Sequence, residues 1–114
     1  MRKQMIENAA FEVATQVRAV EDAIEAALAE IAELQGRMIN CRAVAGIATA
    51  TGHEAFAHLA QANVGLINAR GDVANCHGAL KDTKQLVPGL RTTSFGEGNQ
   101  CPPPQGVQPL RIVA

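Results

Sequence analysis

The sequence predicts an all-α protein, a long antiparallel helical hairpin followed by an irregular tail rich in Pro and Gly. Three observations lead to this fold class. Small and apolar residues recur in alternating steps of three and four from residue 6 to residue 48, a capping motif interrupts the helical pattern near residue 51, and four of the five Pro residues lie close to the C-terminus. We therefore expect helices over 4–48 and 52–86.

The first helix is predicted by propensity and periodicity together. Residues 4–48 contain no Pro and are rich in Ala, Glu, Leu, Gln and Arg. Two series of residues spaced seven apart form the apolar stripe that is typical of a coiled coil. The first series is Ile6, Val13, Val20, Ala27, Leu34, Cys41 and Ala48, and the second is Ala10, Val17, Ile24, Ile31, Met38 and Ala45.

A turn is predicted near residues 49–51. Thr51 and Glu54 have the spacing of a capping box, in which each side chain accepts a hydrogen bond from a backbone N–H at a new helix start. The alternative is one continuous helix through this point in a parallel coiled coil. The capping box argues against that geometry.

The second helix carries its own apolar seam. Its members recur in steps of three and four and are Leu59, Leu66, Val73 and Leu80 with Ala62, Ala69 and Cys76 between them. Folding the chain back at residue 50 sets Leu59 opposite Cys41, Leu66 opposite Leu34, Val73 opposite Ala27 and Leu80 opposite Val20.

A second apolar face of this helix predicts a further neighbour. We call it the dimer face, and it consists of Phe56, Ala60, Val64, Ile67, Gly71, Ala74 and Gly78. Glycines at 65, 71 and 78 each cost about 1 kcal/mol of helix propensity. Either another backbone approaches closely there, or these glycines merely weaken the helix.

Helix 1 is also longer than helix 2, so Met5 to Val13, including Phe11, would overhang the hairpin. An exposed apolar overhang favours a partner. The expected assembly is a homodimer in which two hairpins complete a four-helix bundle.

The C-terminal segment 87–114 is predicted to be separate from the hairpin domain 1–86. Pro88 and Gly89 end the second helix because Pro lacks the backbone donor and Gly accepts a left-handed exit. Disorder is the default for such a tail. The alternative is a docking arm, in which the apolar end of the tail binds a neighbouring subunit through Leu110, Ile112 and Val113.

Composition excludes several functions. A net charge of −1 and a pI near 6.3 give no basic surface for nucleic acid. Three widely spaced cysteines without a Cys-x-x-Cys pair fit a reducing, cytoplasmic setting. The sequence contains no apolar stretch long enough for a membrane span, no signal peptide and no catalytic motif. We expect neither an enzyme nor a cofactor.

The remaining candidates for a metal or small-ligand site are Cys41, His53 and His58, near the hairpin tip. Sulfur and imidazole suit zinc or haem. However, the two histidines are five residues apart, or about 140° around a helix, so they diverge. Cys76 beside His77 resembles an activated thiol, but no orienting acid accompanies the pair, and a packed Cys76 is expected.

The function predicted from these features is that of a non-enzymatic structural or adaptor protein. It would associate with itself through helix packing and contact other subunits of a bacterial or phage assembly through its hairpin tip and tail. The alternative is a metal-binding or ligand-binding bundle using Cys41, His53 and His58. A third candidate, a peripheral binder of a membrane or polymer granule, lacks the Lys and Arg that such helices favour.

Overall fold

A computed structural model describes residues 2–90 as two long helices joined by a short turn. Helix α1 is Arg2–Ala45 and helix α2 is His53–Lys84. They pack side by side as a hairpin, which confirms the predicted all-α class and the break near residue 50. The tail residues Leu110, Ile112 and Val113 lie outside the described residues.

A glycine ends α1 three residues before the predicted end. Gly46 has a φ of 66°, and its N–H donates to the carbonyl of Ala43 at 3.2 Å while that of Ile47 donates to Arg42 at 3.2 Å. These two bonds form a Schellman motif, which requires a left-handed residue after the helix. The connection between the helices therefore begins at Gly46.

The predicted capping box is wrong. The residue that precedes α2 is Gly52, in a left-handed conformation with a φ of 78°, and no side chain caps the helix. The N–H of Thr51 donates to the carbonyl of Ala48 within the preceding turn, at 3.0 Å. Glu54 lies in the first turn of α2, with its side chain 89% exposed. A left-handed glycine reverses the chain here without a side-chain cap.

The chain turns once more after α2. Leu90 N–H donates to the carbonyl of Val87 at 3.1 Å, with Pro88 and a positive φ of 92° at Gly89 between them. Pro followed by a left-handed Gly is the pattern of a type II turn. A Cβ placed on Gly89 would lie 3.6 Å from Lys3 Cγ, so this turn lies beside the start of α1.

The predicted overhang of α1 is thus covered in part by the chain that follows α2. Val87 and Leu90 line one groove together with Ala10 and Val13, and Leu90 is buried. Phe11 in the same segment is 55% exposed.

In α1, one of the two predicted series faces α2, and the other is replaced by a different series. The second series faces α2 as expected, since Ala10, Val17, Ile24, Ile31 and Met38 are all half-buried. The companion series on the inner side is Ala14, Glu21, Leu28 and Arg42. Most of the predicted first series is exposed instead, namely Val13, Val20, Leu34, Cys41 and Ala48.

The residues of α2 that face α1 also differ in part from the predicted seam. Leu59, Leu66, Ala69 and Val73 are half-buried as predicted, but Ala62, Cys76 and Leu80 are exposed. Asn63 is half-buried and His77 is buried in their place. Cys76 is therefore not a packed cysteine. Arg70, in the same series as Asn63 and His77, reaches across to α1.

The contacts between the helices are shifted by about one turn from the predicted register. Leu80 lines a groove with Val17 rather than Val20, and Val73 lines a second one with Ile24 rather than Ala27. Both differences are three residues. The physical reason is the early end of α1, since a chain that reverses sooner pairs each residue of α2 with an earlier residue of α1.

Candidate functional site

The hairpin buries very little apolar surface by itself. Among the described residues Leu90 is the one buried hydrophobic residue, and α1 has no buried residue. Large side chains on both helices are exposed, for example Leu34 at 48% and Ile67 at 51%. Contiguous apolar surface of this kind marks an interaction site in most soluble proteins.

The dimer face is open along its central part. Ala60, Val64, Ile67 and Gly71 are exposed, whereas Phe56, Ala74 and Gly78 are half-buried. A Cβ added to Gly65 or Gly71 would meet nothing within 4 Å, so α1 does not make the close backbone approach that these glycines predict.

A second apolar surface lies on the other side of the hairpin, and the predicted seams contain all of its residues except Thr83. We call it the outer flank. Its members on α1 are Val13, Val20, Ala27, Leu34 and Cys41, and on α2 they are Ala62, Ala69, Cys76 and Thr83. Ala27 and Ala69 are half-buried, and the other seven are exposed. Val13 and Thr83 line the same groove, so the two rows lie close together at this end of the hairpin. None of these nine residues carries a formal charge.

The seam itself contains charged and polar groups that cross between the helices. The Nε of Arg70 donates to the carboxylate of Glu25, and both side chains are more than half exposed. His77 is buried at 6% exposure, with its Nδ1 3.5 Å from Glu21 Oε1. Nδ1 of His77 makes no hydrogen bond within the described residues. These groups connect the two helices across the seam.

The structure does not gather the predicted metal candidates into a site. Cys41 is exposed, and the Nε2 of His58 lies 3.5 Å from Glu54 Oε1, one turn away on the same helix. In residues 2–90 no group of three or more His, Cys, Asp or Glu side chains is placed to hold a metal ion. Cys41, His53 and His58 therefore do not form such a group.

The hairpin tip is exposed and poor in charge. Every residue from 43 to 50 is exposed, and Val44 reaches 80%. Between Ala43 and Ala69 the only formal charge is that of Glu54. The tip is thus an apolar and polar surface with little electrostatic character.

At the opposite end, a groove runs between the start of α1 and the end of α2. It has a volume of about 180 Å³ and is lined by mostly apolar side chains, among them Ala14, Val17, Leu80 and Val87. Lys81 and Lys84 stand at its edge. Neither helix of the described part is apolar and long enough to cross a membrane.

Comparison with known proteins adds no relative. No protein-family model matches the chain, and neither the curated proteins nor the solved structures give a significant match. The class that the fold defines is a two-helix hairpin with exposed apolar side chains on both helices.

Proposed function

We propose that the protein is a non-enzymatic structural or adaptor protein that associates with itself through helix packing. It contacts other subunits of a larger bacterial or phage assembly through its hairpin tip and C-terminal tail. Its setting is the cytoplasm, or a phage particle assembled there. The observation that carries the proposal is that, within residues 2–90, two long regular helices bury almost no apolar residue.

The energetic argument starts from size. Helices in proteins owe most of their stability to the burial of an apolar face, at roughly 25 cal/mol for each Å² removed from water. Here Val20, Leu34, Val64 and Ile67 remain between 38% and 51% exposed. Covering such side chains is the usual way in which a small chain acquires enough core. Self-association provides that cover.

The dimer face supplies one contact. Val64 and Ile67 lie next to Gly71 on its exposed part, and the glycine leaves room for the backbone of a second helix. Two hairpins joined at this face complete a four-helix bundle. The homodimer is the smallest assembly that covers it.

The tip suits a protein partner rather than a charged polymer. A run with Glu54 as its only formal charge offers no attraction for phosphates or for an anionic membrane. Exposed aliphatic residues at the tip, including Val44 and Ile47, suit an apolar pocket on another subunit.

Sedimentation equilibrium of the purified full chain tests the proposal. We expect an oligomer at micromolar concentration, and Ile67→Glu should reduce its mass because the carboxylate would be buried in the contact. The matched control is Ala19→Glu, which adds the same charge at an exposed position on the back of α1. A folded, stable monomer at micromolar concentration would contradict the proposal.

A further inference from the structure

We propose that a second copy of the chain packs on the outer flank, in addition to the contact at the dimer face. In this arrangement the tips of both hairpins point the same way, and α1 of each copy lies against α2 of the other. The inference rests on the proposed function, because it specifies a further surface for the same self-association.

The first argument is the choice of seam. Either of two series could accompany Ala10, Val17 and Ile24 on the inner side of α1. The hairpin uses the more polar one, which includes Glu21, and leaves most of the series with Val20 exposed. An isolated hairpin that buries the polar series and exposes the apolar one is less stable than one with the opposite choice, because less apolar surface is removed from water. The arrangement is favourable when a second chain covers the apolar series.

The second argument is size complementarity across a two-fold axis. The α1 row carries the larger side chains, and the α2 row carries small ones. With the tips at the same end, Leu34 meets the partner's Ala62, and Val20 meets the partner's Cys76. These two contacts pair a larger residue with a smaller one, Ala27 meets the partner's Ala69 between them, and the symmetry repeats each contact on the other side. Packing α1 on the α1 of the partner would instead set large residues against large ones.

The third argument is charge. Glu30 and Asp72 border the flank, and in this arrangement they face the partner's Gly65 and the partner's Ala23, which are neutral. Arg37 faces the partner's His58, the side chain that lies beside Glu54. No two like formal charges therefore meet along the contact, so no repulsion opposes it.

The fourth argument is area. The flank extends from Val13 to Cys41, which is about 42 Å at 1.5 Å per residue, and two adjacent helices are about 20 Å wide. The product is about 840 Å², close to the roughly 800 Å² that each partner buries in a stable interface. A second copy thus finds enough surface to bind.

The outer flank and the dimer face lie on different sides of α2. Ile67 of the dimer face and Ala69 of the flank are two residues apart, so their side chains diverge by about 160°. Copies that use both surfaces join into assemblies larger than a dimer. The flank contact would link dimers to one another.

Sedimentation equilibrium with paired variants tests the inference. Leu34→Glu should reduce the wild-type assembly to dimers, roughly a two-fold or greater loss of mean mass, while Ala19→Glu should leave the mass unchanged. If Leu34→Glu leaves the mass unchanged and Ile67→Glu lowers it, the flank contact is refuted and the proposed function stands. A monomeric wild type refutes the proposed function itself.

Cysteine cross-linking keeps the test independent of any loss of folding in the Glu variants. In a chain with Cys41→Ser and Cys101→Ser, Val20→Cys should form a disulfide with Cys76 of a second copy and give covalent dimers on a non-reducing gel. A bond needs Cα atoms within about 7 Å. Ala19→Cys, one residue away on the back of α1, is the control. Absence of covalent dimers, or equal yield from both variants, overturns the inference.

Discussion

The buried imidazole of His77 on α2 lies 3.5 Å from the carboxylate of Glu21 on α1, and its Nδ1 makes no hydrogen bond within the described residues. A buried polar nitrogen without a hydrogen bond costs about 1 to 3 kcal/mol. The seam therefore contains one position at which a polar side chain opposes stability.

Replacing His77 by Leu should raise the free energy of unfolding by about 1 kcal/mol, because the volume is retained and the unsatisfied nitrogen is removed. Denaturant titration at fixed protein concentration measures the change. His77→Ala serves as the comparison and should lower stability, since it leaves a cavity. Equal destabilisation by both substitutions would mean that the imidazole has a hydrogen-bond partner in solution.

The ion pair between Arg70 and Glu25 should contribute little. Both side chains are more than half exposed, and exposed pairs contribute about 0.2 to 1 kcal/mol. A double-mutant cycle with Arg70→Met and Glu25→Gln isolates their coupling energy, which should fall at high salt. A coupling that is large and independent of salt would show that this pair is shielded from water by another chain.

Gly46→Ala should destabilise the hairpin by about 1 kcal/mol, because the residue has a φ of 66° at the end of α1. The same substitution at Gly36 should have the opposite sign. Gly36 lies within α1, and an added Cβ there meets nothing within 4 Å, so Ala gains up to about 1 kcal/mol of helix propensity. Thermal unfolding of the two variants measures both signs, and equal shifts would refute the Schellman motif.

Thr51→Ala should change stability by less than about 0.5 kcal/mol. A true N-cap threonine would lose about 1 kcal/mol, but the structure places Gly52 at that position without a side-chain cap. Gly52→Ala should be the costly change, given its φ of 78°. A large loss for Thr51→Ala in chemical denaturation would restore the capping box.

Gly71→Ala should affect the stability of one hairpin and the association of two hairpins in opposite directions. Within the hairpin the substitution should gain up to about 1 kcal/mol of helix propensity, since its Cβ meets no other atoms. If a partner backbone approaches at the dimer face, the dissociation constant measured by sedimentation should nevertheless rise several-fold. An unchanged constant would mean that no helix packs closely there.

The fold class and both helices could be predicted because periodicity and propensity agree over long stretches. The choice of seam could not. In a coiled coil, the series with Val17 and Ile24 can be accompanied by residues either three or four positions further along the chain. Hydropathy alone favours the residues three positions along, which form the series with Val20. The structure selects the series with Glu21, whose partner His77 is on the other helix. The apolar pattern of one chain does not tell which residues pack between its own helices and which remain exposed.

The turn shows a second limit of sequence reasoning. Gly46 and Gly52 mark the ends of the two helices through their positive φ values, but both also fit inside a helical pattern. The spacing of Thr51 and Glu54 favours a side-chain cap, and a left-handed glycine performs that role instead. Gly46 could have located the end of α1, because the residue that follows a helix is often a glycine in the left-handed conformation.

The position of Gly89 beside Lys3 has a consequence for distance. The chain continues beyond Leu90 from the end of the hairpin that is remote from Val44 and Ile47, and α1 between these two ends is about 66 Å long at 1.5 Å per residue. A molecule held at the tip and one held near the base of the tail would be kept apart by that length. The rigid length of α1 would then set the spacing between these two neighbours.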